Sequence, residues 1–228
     1  MGLVMVEVDC DITERQCEEL QAGLPESIRA RAQRYLVARP RLNLVASQFA
    51  LRTCLEGLGI DPRLLRVCPQ GRPYLEGRPL EFNLSHSGSR AVILLGRGSH
   101  FLDALGVDIE HLDRKVEREA LARRFFTSDE CVFAASDPRN FFQIWTRKEA
   151  VLKTNGVGLR VPLNSFQVLS DQVAQKITGM ELSLGTELRD DNYLISWAIK
   201  RSSGVLRPLW VRAHRAGWLE RVRAGIEG

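Results

Sequence analysis

The chain has 228 residues, 44% of them hydrophobic and 26% charged, with a formal net charge of +4. This is the composition of an ordinary soluble globular protein, and at roughly 100–200 residues per domain the length allows one large domain or two small ones. Five cysteines (Cys10, Cys17, Cys54, Cys68, Cys131) are an odd number without a C-x-x-C pair. That pattern argues against a disulfide framework or a zinc site and for the reducing environment of a cytoplasm.

The first residues carry no basic leader before their apolar run, and Asp9 and Asp11 soon follow, so the start reads as neither a signal peptide nor a membrane span. The charge is unevenly spread. Arg29, Arg31, Arg34, Arg39 and Arg41 cluster early, and Arg212, Arg215, Arg221 and Arg223 cluster late. Such clusters suit a phosphate ligand or an acidic protein surface, and equally a well-solvated exterior.

In chain order, residues 3–9 alternate weakly and predict an opening strand. An arginine-rich helix is expected from Pro25 to just before Pro40. Leu42, Val45, Phe49 and Leu55 recur at helical spacing to residue 58, with Gly57 and Gly59 as the stop. Asp61-Pro62 reads as a turn, residues 64–68 as a short strand, and Gln70-Gly71-Arg72-Pro73 as a loop whose glycine permits close approach to a ligand. Residues 81–87 alternate, with Phe82, Leu84 and His86 on one face and Asn83, Ser85 and Ser87 on the other. Gly88 breaks the run, and residues 91–95 form a strand that pairs with it as a hairpin. Ser85 and His86 point to opposite faces and cannot form a nucleophile–base pair.

Residues 105–112 form another strand, in which apolar Val107 and Ile109 alternate with Asp108 and Glu110. The two carboxylates therefore share a face. The pattern fits an edge strand with one solvated face, or a Mg²⁺ site in which one or two carboxylates are joined by waters and substrate phosphates. A helix is expected over 117–126, and Thr127 with Glu130 makes a capping box for the next. Asp137-Pro138 opens a helix through Lys153, stopped by Asn155-Gly156. Phe142, Trp145, Glu149 and Lys153 lie on one face of it, an apolar stripe running into a charged pair. Residues 165–169, 181–184, 193–199 and 208–213 read as strands, followed by a short basic tail. Helices mixed with hairpin-connected strands on either side of about residue 104 indicate an α+β protein of two subdomains, 1–103 and 104–228, with a cleft between them.

Asp108, Glu110 and Glu149, with Lys153, His86 and the early arginines, form a kit for metal-assisted chemistry on a phosphorylated substrate. Gly71-Arg72-Pro73, Phe82-Asn83-Leu84-Ser85-His86-Ser87-Gly88, Gly106-Val107-Asp108-Ile109-Glu110 and Trp145-Thr146-Arg147-Lys148-Glu149-Ala150-Val151-Leu152-Lys153 with Gly156-Val157-Gly158-Leu159 together resemble the 4′-phosphopantetheinyl transferases. The resemblance is to the large two-subdomain type known from surfactin synthesis and covers residues from about 25 to 170. The W-x-x-K-E-A form resembles the subgroup that often serves fatty-acid and polyketide carriers as well as peptide synthetases.

The resemblance implies two similar α/β subdomains related by a pseudo-two-fold, with coenzyme A bound between them. It implies transfer of the phosphopantetheine arm to a serine of an apo acyl or peptidyl carrier protein, releasing 3′,5′-ADP. Asp108, Glu110 and Glu149 would hold Mg²⁺, or Mn²⁺ in its place. Glu149 would also act as base, and Lys153 would offset charge on the departing phosphate. Coenzyme A would be contacted by Arg31, Arg41, Arg72, Ser85, His86, Asp108 and Lys153. Arg72 would take the 3′-phosphate in place of the lysine of many members, and Phe125, Phe126 and the segment to Pro138 could join the carrier-docking surface. A cytoplasmic monomer, with neither nucleic acid nor membrane as partner, is expected. Two other readings use the same residues or charge: a Mg²⁺-dependent phosphohydrolase or nuclease, and a basic nucleic-acid-binding protein. The Glu149-x-x-x-Lys153 spacing departs from the nuclease pattern, and a +4 charge without a recognition motif is weak for the second.

Overall fold

The computed structural model describes residues 2–69, 72–97, 105–154, 161–173, 181–190, 192–200, 207–214 and 217–227. It is an α+β structure of four layers, helices–sheet–sheet–helices. The first sheet has the order β10-β1-β5-β4, from β1 (Leu3–Asp9), β4 (Glu81–Ser87), β5 (Arg90–Gly96) and β10 (Leu209–Arg212). The second has the order β6-β9-β8-β7, from β6 (Leu105–His111), β7 (Gln172–Val173), β8 (Leu182–Arg189) and β9 (Tyr193–Lys200). A small ribbon pairs β2 (Leu65–Val67) with β3 (Pro73–Leu75).

Alternation along the strands makes the layers. On β1, Val4, Val6 and Val8 face α3 (Ala38–Gly57) and α7 (Trp218–Glu227), whereas Leu3 and Met5 point the other way. There they meet Val107 and Ile109 of β6 and Ile195, Trp197 and Ile199 of β9 in a core between the sheets. The outer face of the second sheet, with Leu184, Leu194 and Ala198, is covered by α6 (Pro138–Lys153), to which α5 (Ser128–Ser136) and α4 (Arg118–Phe125) add. Both sheets thus bury both faces, and burial of this extent is the main stabilising term.

Several predicted elements form as read, including β1, the β4–β5 hairpin, the Thr127–Glu130 capping box and α6 from Pro138. Pro40 does not divide two helices. It lies in the first turn of α3, where a backbone N–H has no helical partner to lose. The helix before it, α2 (Glu26–Gln33), is shorter than expected, and α1 (Glu14–Ala22) precedes it with its own Thr13 capping box. Residues 165–169 are not a strand; a 3-10 turn spans Leu163–Ser165. The expected basic tail is α7, whose Trp218, Val222 and Ile226 recur every four residues and are buried. β10 pairs in parallel with β1, and α7 packs on the same sheet, so the first layer takes in the carboxyl end of the chain as well as its beginning. Gln70, Gly71, Asn155, Gly156, Val157, Gly158 and Leu159 lie outside the described residues, as does the junction near residue 104.

Candidate active site

β4 and β6 are edge strands of different sheets, and side chains of β4 join them. Asn83 Oδ1 accepts the Val107 N–H at 3.1 Å, Ser85 Oγ donates to Asp108 Oδ1 at 2.8 Å, and Ser87 Oγ donates to Glu110 Oε2 at 2.8 Å. Ser87 also accepts the His111 N–H at 3.1 Å. Two-residue steps on one strand match two-residue steps on the other, because each strand sends alternate residues to one face. The hairpin carrying these serines is fixed at its turn. Gly88 has φ +58°, a conformation open to glycine, and Asn43 of α3 donates to its carbonyl at 3.1 Å.

α6 delivers the remaining groups. A Cβ on Gly106 would lie 1.9 Å from the Ala150 carbonyl oxygen, so only glycine lets β6 and α6 approach this closely. From the last turn of α6, Lys153 Nζ donates to Asp108 Oδ1 at 2.6 Å, Ser85 Oγ at 2.9 Å and the Val107 carbonyl at 3.1 Å. Lys153 therefore joins both sheets rather than pairing with Glu149 along its own helix. Arg72 crosses from the small ribbon to donate to the Thr154 carbonyl at 2.6 Å, placing a guanidinium at the negative end of α6.

Burial raises the carboxyl pKa of Glu149, and the nearby Asp108 charge raises it further, with Lys153 opposing. Glu110 is raised first by burial and then by Asp108, with Ser87 and Arg114 opposing. Two buried acids raised by burial and by the charge of a third carboxylate beside them form a locus of negative potential that favours a cation or a proton. His86 is exposed at the rim, yet the surrounding protein lowers its pKa, and Lys153 and then Arg31 push in the same direction. That favours the neutral imidazole, which can donate a hydrogen bond without adding charge.

The structure thus gathers Ser85, His86, Asp108, Glu110, Glu149, Lys153 and Arg72 where β4, β6 and the end of α6 meet, with Arg31 near enough to act on His86. Arg41 is ion-paired with Glu14 of α1. Lys148, in the same motif as Glu149, turns inward. It pairs with buried Glu130 at 2.8 Å and donates to the Leu163 and Phe166 carbonyls, so it pins the segment after α6. Sequence reasoning missed the bridging roles of Asn83 and Ser87, although their shared face was visible. It also missed Arg114, which follows β6 in a turn and so carried no periodic signal.

Among the described residues no three His, Cys, Asp or Glu groups stand close enough to hold a metal ion by themselves. The donor chemistry nonetheless fits Mg²⁺. Asp108 and Glu110 are hard oxygen donors, each only 6% exposed, and this ion takes one or two carboxylates and completes its shell with waters and substrate phosphates.

The comparisons with known proteins agree with this chemistry. A model of the 4′-phosphopantetheinyl transferase superfamily matches residues 104–203. The chain is 31% identical over 205 residues to the 4′-phosphopantetheinyl transferase HetI of Nostoc sp., covering 84% of this chain and 85% of that one. It is 27% identical over 177 residues to a 4′-phosphopantetheinyl transferase of Bacillus subtilis, covering 74% and 76%. To a similar transferase of Bacillus pumilus it is 29% identical over 161 residues, covering 67% and 66%. The matched region contains Asp108, Glu110, Glu149 and Lys153, and on this evidence the chain belongs to the 4′-phosphopantetheinyl transferase family.

Proposed function

We propose that this protein moves the 4′-phosphopantetheine arm of coenzyme A onto a serine of an apo acyl or peptidyl carrier protein. The observation that carries the reading is the convergence of Asp108, Glu110, Glu149 and Lys153 between β6 and α6, in a chain whose relatives are named for this transfer. In the transfer the serine oxygen forms a bond to the β-phosphorus of coenzyme A, and the bond from that phosphorus to the bridging oxygen breaks, releasing 3′,5′-ADP.

Glu149 takes the serine proton. A carboxylate with a raised pKa is a stronger base than an ordinary one, and a free serine hydroxyl does not ionise unaided. Lys153 faces the departing phosphate and offsets its charge, with Ser85 orienting the ammonium. His86 donates to the diphosphate, and Arg72 and Arg31 hold the phosphates of the nucleotide end. Bound to Asp108 and Glu110, and with Glu149 as a further ligand, Mg²⁺ (or Mn²⁺) would neutralise charge on the diphosphate.

In this reading the residues before 104 supply most coenzyme A phosphate contacts, the residues after 104 supply the metal site and catalytic helix, and the two halves are related by a pseudo-two-fold. The enzyme works as a cytoplasmic monomer, since both walls of the cleft come from one chain. Among the described residues no helix is long and apolar enough to cross a membrane. The basic early and late segments suit the acidic surface of a carrier.

The test is intact-mass spectrometry of an apo acyl-carrier protein incubated with this protein, coenzyme A and Mg²⁺. A gain of one phosphopantetheine, lost with Glu149→Ala and in EDTA, is the expected result. No gain on acyl, peptidyl or aryl carriers, with coenzyme A failing to bind, would overturn the reading.

A further inference from the structure

We infer that Arg114 is the resident counter-cation of Glu110 and that a divalent metal enters the site by exchange with it. This inference rests on the reading of Asp108 and Glu110 as metal-binding. Each of these carboxylates has a cation of its own. Asp108 has Lys153 at 2.6 Å, and Glu110 Oε1 accepts from the Arg114 guanidinium while Oε2 is held by Ser87.

A divalent ion ligated by Asp108 and Glu110 would stand within a few ångströms of the two positive groups that hold the same carboxylates, Lys153 on Asp108 and Arg114 on Glu110, and like charges at that distance repel. One of these cations gives way, and exposure decides which. The Arg114 side chain is 52% exposed, against 29% for Lys153, so it returns to water at smaller cost. Lys153 is also held by three acceptors on two strands.

The local backbone suits such an exchange. The chain turns after β6, with the Arg114 N–H bonded to the His111 carbonyl at 3.1 Å, which folds the arginine back over Glu110 from the solvent side. Glu110 and Arg114 line a cavity of about 130 Å³ together with apolar Val116, Leu121, Phe142 and Trp145. Beside that apolar wall Arg114 keeps a buried acid satisfied until a metal takes its place.

The experiment is Mn²⁺ titration of the full chain by calorimetry, without coenzyme A, for the wild type and for Arg114→Met, Arg114→Gln, Arg114→Lys and Arg118→Met. Exchange predicts that Arg114→Met and Arg114→Gln bind Mn²⁺ about 5-fold tighter or more, that Arg114→Lys falls between, and that Arg118→Met matches the wild type. Unchanged or weaker binding by both Arg114→Met and Arg114→Gln overturns the inference. So does an equal gain in Arg118→Met, which would reflect overall charge alone. Glu110→Gln separates this result from the underlying reading. If it does not weaken Mn²⁺ binding, Glu110 is not a metal ligand and both fall; if it does while Arg114→Met changes nothing, only the exchange falls.

Discussion

Lys153 Nζ and Ser85 Oγ reach the same atom, Asp108 Oδ1, at 2.6 and 2.8 Å, the lysine from α6 on the second sheet and the serine from β4 of the first. An oxygen held by an ammonium and a hydroxyl is fixed in position by charge-assisted hydrogen bonds, the strong kind. Lys153→Ala leaves Asp108 buried with its charge poorly compensated. It should cost about 2 kcal/mol of stability, read from denaturant unfolding, and lower kcat by about 10²–10³-fold. A kcat unchanged by the substitution would remove Lys153 from the chemistry.

The raised pKa of Glu149 gives two signs to check. As base it must be deprotonated, so kcat/KM should fall as pH drops through a value above the ordinary 4.5. Glu149→Gln should abolish that limb and lower kcat by about 10²–10⁴-fold. Stability should move oppositely. A folded-state pKa above the unfolded value favours the fold at pH below the unfolded value, and that advantage is lost as pH rises through the folded value. Glu149→Gln should therefore melt higher than the wild type at pH 7–8, and the difference should vanish below about pH 4.5, the ordinary value. Scanning calorimetry at both pH values reads this directly.

Arg72 ties the ribbon to the end of α6 and is proposed to meet the 3′-phosphate of coenzyme A. Arg72→Ala should raise the KM for coenzyme A about tenfold or more, the value of a charge-assisted contact, with a smaller effect on kcat. Dephospho-coenzyme A, which lacks that phosphate, discriminates. The wild type should prefer the full cofactor, and the variant should lose most of that preference in steady-state kinetics.

At Gly106 β6 lies close against α6, and a methyl group there would overlap the Ala150 carbonyl. Gly106→Ala should destabilise the protein by about 1–3 kcal/mol or more through forced backbone movement. Because that movement separates Asp108 from Lys153, activity should fall further than the unfolded fraction explains. The check compares specific activity with the folded fraction measured by circular dichroism at the same temperature.

Much of this was legible in the chain because it depends on local periodicity. Alternation fixed the faces of residues 81–87 and 105–111, and three- and four-residue steps placed Glu149 and Lys153 on one side of α6. Capping chemistry located the start of α5. The failures have a physical reason too. Pro40 looked like a break because its ring forbids a helical partner upstream, a restriction without effect in a first turn. The final helix was hidden by its arginines, which occupy the solvent side while Trp218, Val222 and Ile226 are buried against a strand near the opposite end of the chain.

By itself, then, the sequence determined the types of the elements around the site, the face each carboxylate takes and the donor chemistry offered to a phosphate. Only the tertiary structure decided the pairings. Local rules allowed Lys153 to pair with Glu149 one turn away, but packing of α6 on β6 gave its ammonium to Asp108 instead. Local rules named no partner for Arg41, and it was the placing of α1 that set Glu14 beside it. Charged side chains are long and their partners lie far along the chain, so which charge meets which is set by how strands and helices assemble, not by spacing.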